Sequence, residues 1–478
     1  MNSTRIIAGL VFFVLTIPAL PPIFFPLFEP YTFGKMELFE IAVELMALVF
    51  AFSVKHRGAL VPVLMDRLVI AVGMLCGVAA LATLVSVDIT QSFWGSSARG
   101  DGLFPLLHFA LFFFVLRAAF THNMMLSALR FSVGASLFTA WYGVAQWFAL
   151  PLVSDPMGEI FSTIGNPAFF AAYLAMHIFC ALYLARGETR ANWHILWYTI
   201  AVFEVVVAVL ANSAAVTTGL MLGLLVAAYP YAKERWGGRS ITLAAGGSVL
   251  CIAGAFLFFA NPILDRTTTQ SRLFVWKHSI GVIAERPFIG HGAQQFSVPV
   301  AHTGETFDKP HNIFLELLVS YGIAGLMAYL FMWYAAERSV HRIFSEQKDR
   351  FLFWGLGVSY VMFLFFFFEV FATALLFFFL LALLGAQAQE AVPLRPFTFV
   401  PTGGVVVCVF ILFAIFHYQP LFTAYFSNRL FTHAAATGTL DNSLKTEALR
   451  YDSFNRPFVE NAIALFEREK KRGSERGL

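Results

Sequence analysis

The chain has 478 residues, of which 59% are hydrophobic and 13% charged, with a formal net charge of +3 and a mean hydropathy of +0.72. Soluble chains carry about 25% charged residues, so the composition excludes an ordinary cytosolic enzyme and implies a polytopic membrane protein. The small net charge, with no basic patch interleaved with exposed aromatics, argues against a nucleic-acid partner.

A membrane-crossing helix needs about 20 mostly apolar residues. Such stretches fall at 6–28, 36–54, 67–87, 103–120, 129–150, 168–186, 193–211, 214–231, 240–260, 312–334, 350–368, 371–389 and 400–418. They predict an all-α fold with 12–13 transmembrane helices. The first lacks a small-residue cleavage site and is followed by further spans, so it reads as an anchor and not a removed signal. No alternating barrel pattern is present. Cys76, Cys180, Cys251 and Cys408 each sit inside an apolar run and read as packing residues.

Lysine and arginine in the loops set the expected orientation. One set of connections carries Lys55, Arg57 and Arg67; Arg117 and Arg130; Arg186 and Arg190; Lys233, Arg235 and Arg239; Arg338, Arg342, Lys348 and Arg350; and Arg395. Arg5 lies on the same side. The alternate loops carry little beyond Lys35 and Arg99, and 151–167 has no basic residue. This bias places the N-terminus in the cytoplasm and, with thirteen spans, the C-terminus outside. Segments 88–102, 151–167, 261–311 and 419–478 then face outward. Residues 1–418 form the transmembrane part, and 419–478 a short helical tail outside it. The tail resembles a single tetratricopeptide-type unit, which cannot bury a core alone.

The outward segment 261–311 is far longer than a usual helix connection. Within it, SRLFVWKHSIGVIAER reads as an amphipathic helix, with Leu273, Trp276, Ile280 and Ile283 on one face and Arg272 and Lys277 off it. It fits a helix lying on the membrane surface, and equally a solvated face with snorkelling cations. The glycines of RPFIGHGAQQF lack the strand–helix context of a phosphate loop, so Gly290-His291-Gly292 reads as a turn and His291 as structural. Asn166 and Pro167 read as the cap of the span near 168. Glu369, between two Phe-rich runs, reads as an interfacial carboxylate at an outer turn. The mid-span regions read as nearly pure hydrocarbon.

The stretch FDKPHNIFLELL holds the most informative group. Pro310 keeps Lys309 out of helical geometry and suits a helix start. His311 and Asn312 are expected at the first turn of the span near 312. An ionisable group there is a functional candidate, because a neutral imidazole accepts a proton near working pH. A histidine that caps the helix fits the same position.

Four ordered pieces widen this reading: SFWGSSARGDGL (92–103), STIGNPAFFAAYL (162–174), SRLFVWKHSIGVIAERPFIGHGAQQF (271–296) and DKPHNIFLELLVSYGIAGL (308–326). Each falls at an outward loop, and together the region 88–390 resembles the O-antigen ligase and polymerase family of bacterial membrane glycosyltransferases. The resemblance implies a GT-C-like membrane enzyme in the cytoplasmic membrane. Such an enzyme moves a glycan from undecaprenyl pyrophosphate to lipid A–core, a growing glycan or a protein, with no metal or cofactor. It assigns His311 to the family histidine that serves as base. Arg272 corresponds to the family arginine at the start of the external helix. Arg99, Arg266, Arg286, Lys309 and Asn312 complete the expected substrate-binding set. The family commonly has a Ser-Arg pair near 214, whereas this chain has Ser213-Ala214, so Arg99 or Arg266 is expected to supply that charge. A flippase of lipid-linked saccharide and an inactive scaffold are the competing classes. The first would show repeats and polar, broken helices at mid-membrane; Ala214 favours the second.

Overall fold

The computed structural model describes residues 3–25, 30–55, 57–96, 99–150, 153, 160–239, 241, 243, 244, 246–248, 250, 266–300, 305–386, 391–394, 414–437, 439–443, 445, 446, 463 and 467. In chain order the principal helices are α1 (Ser3–Thr16), α2 (Phe33–Ser53), α3 (Arg67–Leu84), α4 (Leu103–Ala119), α5 (His122–Trp147), α6 (Pro167–Gly187), α7 (Ala191–Leu210), α8 (Ala214–Trp236), α9 (Arg266–Glu285), α10 (Ile313–Ile343), α11 (Gln347–Phe366), α12 (Phe371–Ala386) and α13 (Gln419–Thr437). A two-stranded antiparallel hairpin, β1 (Val298–Val300) and β2 (Glu305–Phe307), pairs Pro299 with Thr306. Among the described residues six helices have the length and apolarity to cross a membrane: α3, α6, α7, α8, α10 and α11; α4, α12 and the stretch Ser3–Ala19 are shorter apolar helices. The chain is an all-α polytopic membrane protein. The spans expected at 240–260 and 400–418 lie largely outside the described residues, as does most of the tail beyond α13.

Two boundaries differ from expectation for local reasons. The first apolar run is helical only to Thr16, because Pro18, Pro21 and Pro22 remove the amide donors an α-helix needs, and two short 3₁₀ turns follow. α10 continues beyond the expected 334 to Ile343, 31 residues in all.

Charged loops sort to two ends of the bundle. At one end Arg117 pairs with Asp66 at 2.8 Å, Arg186 with Asp349 at 2.6 Å and Glu346 at 2.9 Å, and Lys348 with Glu234 at 2.8 Å. At the other, Arg99 pairs with Asp308 at 2.9 Å, Gln294 donates to Asp101 at 2.6 Å, and Lys35 donates to the Thr163 carbonyl at 2.5 Å. The loops that are poor in basic residues therefore meet each other, and both exceptions, Lys35 and Arg99, are paired there.

α6 and α12 lie at the centre, with 83% of the apolar window of α6 buried and every residue of α12 enclosed. This interior is not pure hydrocarbon, contrary to expectation. Glu204 of α7 is fully buried and accepts from Ser136 at 2.6 Å; His177 meets Ser132 at 2.9 Å; Glu37 and Glu40 of α2 are also buried. Each group sits between apolar neighbours in the sequence, and the partners of Glu204, His177 and Glu37 reach them only in the folded chain.

α10 kinks at Gly322, where φ is +64°. The segment after α9 fills the break. His291 and Gly292 donate to the Val319 and Ser320 carbonyls at 2.9 Å each, while Ile323 and Ala324 donate to the Pro287 and Phe288 carbonyls at 2.8 and 3.1 Å. Backbone groups freed by the kink are thus satisfied by the inserted turn segment. A Cβ at Gly322 would stand 2.4 Å from the Phe288 carbonyl carbon, so only glycine fits. The turn 290–292 locks the segment between α9 and α10 onto α10.

Candidate functional site

Asn312, not His311, caps α10. Its Oδ1 accepts from the Phe314 and Leu315 amides at 3.0 and 3.1 Å, and its Nδ2 donates to the Phe365 carbonyl at 2.9 Å. Both ends of the amide are committed, which ties the start of α10 to the end of α11 and leaves Asn312 a structural clip. His311 lies one residue outside the cap, so the expectation that it begins the first helical turn is corrected.

His311 has φ of +54°. A left-handed backbone costs a non-glycine residue about 1–2 kcal/mol, and such strain gathers at functional positions. Nδ1 lies 3.1 Å from the Lys309 carbonyl. A carbonyl only accepts, so Nδ1 carries the proton and Nε2 the lone pair. The ring stands edge-on between Phe307 and Phe368, each centroid 5.2 Å away. Burial, with a further push from Arg272 and Arg99, lowers the imidazole pKa to about 4, against the Lys309 carbonyl and Asp308. The ring is a neutral acceptor at neutral pH.

Aromatic residues at the α11–α12 junction carry the cations. Arg99 lies 4.8 Å from the Phe368 centroid and Arg272 5.2 Å from that of Phe367. Arg99 also forms a two-pronged pair with Asp308, Nε to Oδ2 at 2.9 Å and Nη2 to Oδ1 at 3.2 Å. Partial burial opposes ionisation of both partners, but their mutual attraction outweighs it, raising Arg99 and lowering Asp308. Trp276 of α9 donates to the Pro310 carbonyl at 2.9 Å, which holds the helix carrying Arg272 against His311.

The remaining expected ligands take other partners, although Lys309 also lies over Phe368, 5.0 Å from its centroid. Lys309 is buried and bound to Asp101 and Glu316, whose attraction raises its pKa despite burial. It braces the loop, and its ammonium is committed to two carboxylates. Arg286 is exposed and donates to the Val85 carbonyl at 2.8 Å, joining α9 to the end of α3 and not the histidine pocket. Arg266 opens α9, and its side chain lies outside the described residues. The structure therefore gathers His311, Arg99 and Arg272.

The inward face of α9 is only partly the one expected: Trp276 and Ile283 pack inward and Leu273 and Ile280 do not. Val275 and Ser279 are fully buried, whereas Leu273 and Ile280 are 59% and 63% exposed. Val275 packs with Phe296, Val298 and Val319, so the hairpin and α10 select the inward face. His291 is structural, with Nε2 3.0 Å from the Val282 carbonyl. Asn166 caps α6, accepting from Ala168 at 2.9 Å and Phe169 at 3.3 Å.

Glu369 occupies the junction before α12 and accepts from Tyr360. Desolvation, opposed by that hydrogen bond, raises its pKa to about 7. It is therefore more than an interfacial carboxylate. With Arg99, Asp101, Lys309 and Glu316 it lines a cavity of about 120 Å³. Asp101, Glu316 and the Phe367–Phe368 pair were not singled out from the sequence. Asp101 stands two residues from Arg99, and Glu316 one turn into α10, which was the available signal.

Ala214 reaches the same end. α8 and α11 run antiparallel in close contact, with Gly223 facing Gly355 and Gly219 facing Ser359. Continuing that register sets Ala214 level with Leu364, next to the Phe365 carbonyl that Asn312 holds.

Residues 195–330 match the family model described as O-antigen ligase. The matched stretch contains Ala214, Arg272 and His311, while Arg99 lies before it. No curated protein matches the chain.

Proposed function

Taking as premise that the O-antigen ligase match supports the O-antigen ligase/polymerase family and glycosyl transfer in general, we propose that this chain transfers a glycan from undecaprenyl pyrophosphate to an acceptor hydroxyl. The reaction takes place on the outer face of a bacterial cytoplasmic membrane, and the acceptor is lipid A–core, a growing glycan or a protein. The acceptor oxygen attacks the anomeric carbon, the bond from that carbon to the pyrophosphate oxygen breaks, and the hydroxyl proton passes to Nε2 of His311. Arg272 and Arg99 stabilise the charge on the departing pyrophosphate. Donor binding also tunes the base. Arg272 and Arg99 push the imidazole pKa down, so an anion between them removes part of that push and moves His311 toward the range where a base works best.

The observation that carries this reading is His311 itself: strained, oriented through Nδ1 so that Nε2 holds the lone pair, and within the field of two arginines. The test reconstitutes the protein in vesicles with an undecaprenyl-pyrophosphate glycan and candidate acceptors, and follows acceptor mass. Movement of the intact donor across the bilayer without transfer would establish the flippase instead. For orientation, Ser443→Cys should react with an impermeant reagent in intact spheroplasts; labelling only after permeabilisation would reverse the assignment.

Ala214 favours a second reading, an inactive member of the family. Because the register sets position 214 level with Leu364, near the end of α11 that Asn312 holds, Ala214→Arg separates the two. An active wild type in which Arg99 has taken over the charge is unchanged or impaired by the added arginine. A silent wild type that gains transfer supports lost activity.

A further inference from the structure

A second ionisable cluster lies at the same end of the bundle and takes no part in the proposed transfer. α2 carries Glu37, Glu40 and Glu44 at i, i+3 and i+7, which is one helical face. Opposite them stand His108 of α4 and His417 of the five-residue π turn Ala414–Tyr418 that leads into α13. π turns often mark functional positions. His417 Nδ1 is 2.8 Å from Glu37 Oε2, and its Nε2 is 3.3 Å from Glu44 Oε2. His108 Nε2 is 3.3 Å from Glu44 Oε1. Phe104 stacks on Phe416 and meets both histidine rings at a tilt, closing the cluster next to the Arg99 loop.

Glu40 decides what the cluster is for. Histidine pairing accounts for Glu37 and Glu44. Glu40 is only 5% exposed, yet among the described residues it accepts no hydrogen bond. One of its oxygens nevertheless lies within 4.8 Å of ligand atoms from both Glu37 and His417. Buried carboxylates are hydrogen-bonded, paired or metal-bound, and the nearest groups to Glu40 include two more carboxylates. A small cation at the centre of the three satisfies it.

We infer that Glu37, Glu40 and His417 form a site for a divalent transition-metal ion of the Zn²⁺ or Mn²⁺ type. Two carboxylate oxygens and one imidazole nitrogen suit those ions. The outer shell is also in place. When Nδ1 of His417 binds the metal, Nε2–H faces Glu44, giving the carboxylate–histidine–metal order that fixes ligand orientation, and His108 braces Glu44 in turn. With metal–ligand distances of about 2.0–2.2 Å in a tetrahedral site, Glu40 closes in on the other two ligands and the 2.8 Å Glu37–His417 contact opens slightly on binding. The ion fastens the segment before α13 to α2, beside the transfer pocket. It has no role in the proposed transfer chemistry.

The test uses full-length protein in detergent, stripped with chelator and titrated with Zn²⁺, Mn²⁺ or Co²⁺. Wild type should bind about one ion per chain and rise in melting temperature; Mg²⁺ should not compete. Glu40→Gln should weaken binding by on the order of a hundredfold. His417→Cys loaded with Co²⁺ should gain a thiolate-to-cobalt charge-transfer band, which reports the site even if Glu40→Gln does not fold. Failure of wild type to bind an ion stoichiometrically overturns the site, as does unchanged affinity in a folded Glu40→Gln or the absence of the band in His417→Cys.

Discussion

Truncating His311 to alanine and to glycine separates its backbone from its imidazole. Both variants lose the two edge-on ring contacts, worth about 0.5–1.5 kcal/mol each. They also lose the Nδ1 bond to Lys309, worth about 0.5–1.5 kcal/mol. Both should therefore fall about 2–4 kcal/mol below wild type in stability. They differ in the backbone. At φ of +54° alanine keeps a penalty of about 1–2 kcal/mol that glycine escapes. Glycine's greater freedom in the unfolded chain costs it about 0.4–1 kcal/mol. The balance makes His311→Gly more stable than His311→Ala by roughly 0.5–1 kcal/mol, the reverse of the order in a helix. In a chain of this size that is about 1–2 °C in melting temperature, measurable by fluorimetry on the purified variants. Turnover per folded molecule should fall about 10²–10⁴-fold in both, as expected for a lost general base. A more stable alanine variant would refute the left-handed backbone, and transfer at the wild-type rate would leave the ring with only a packing role.

Protonation offers an independent check. His311 titrates at about 4 in the folded chain against an ordinary 6.5, so between those values the unfolded chain binds a proton that the folded one does not. Stability conferred by the neutral ring is complete above pH 6.5 and falls as pH drops toward 4, by at most about 3 kcal/mol. Melting curves of wild type and His311→Gln from pH 7.5 to 4.5 should shift in the variant's favour on acidification; a constant gap contradicts the burial argument. Arg272→Ala should weaken binding of the lipid pyrophosphate donor by about tenfold or more while leaving the melting temperature near wild type, since the side chain rests on Phe367 at the surface of the pocket; equal donor affinity removes its role. Gly322→Ala should disrupt the junction between α10 and the 287–292 segment, because its Cβ has no room beside Phe288. Limited proteolysis of the external segment should then accelerate, and unchanged protection would mean that the kink tolerates a side chain.

The class of this protein follows from composition alone. A chain with so few charges and so many long apolar runs has nowhere to bury them except in a bilayer, and hydrogen-bond satisfaction there leaves helices as the response to runs of that length. Local chemistry was equally legible at Asn166, where an asparagine before a proline caps a helix through atoms only two and three residues away. His311 and Arg272 stood out because charged groups beside apolar runs are conspicuous. What the sequence could not decide is which ionisable groups are committed elsewhere. Lys309 and Arg99 are both cations in loops that the charge bias reads as outward. Both lie over Phe368, yet Lys309 is held between Asp101 and Glu316 while Arg99 pairs with Asp308. Asp101 reaches Lys309 and Asp308 reaches Arg99 across sequence separations of more than two hundred residues, whereas Glu316 lies only seven residues from Lys309. The inward face of α9 was undecided for the same reason: a helix with apolar residues on several sides takes its orientation from the surface it packs against. Glu37, Glu40 and Glu44 share a face that spacing alone reveals, but their chemistry waits on His417, from the far end of the chain. Periodicity and capping act over a few residues and are written in order along the chain. A buried charge is settled by whatever the fold brings within about 4 Å, and only the tertiary structure makes that choice.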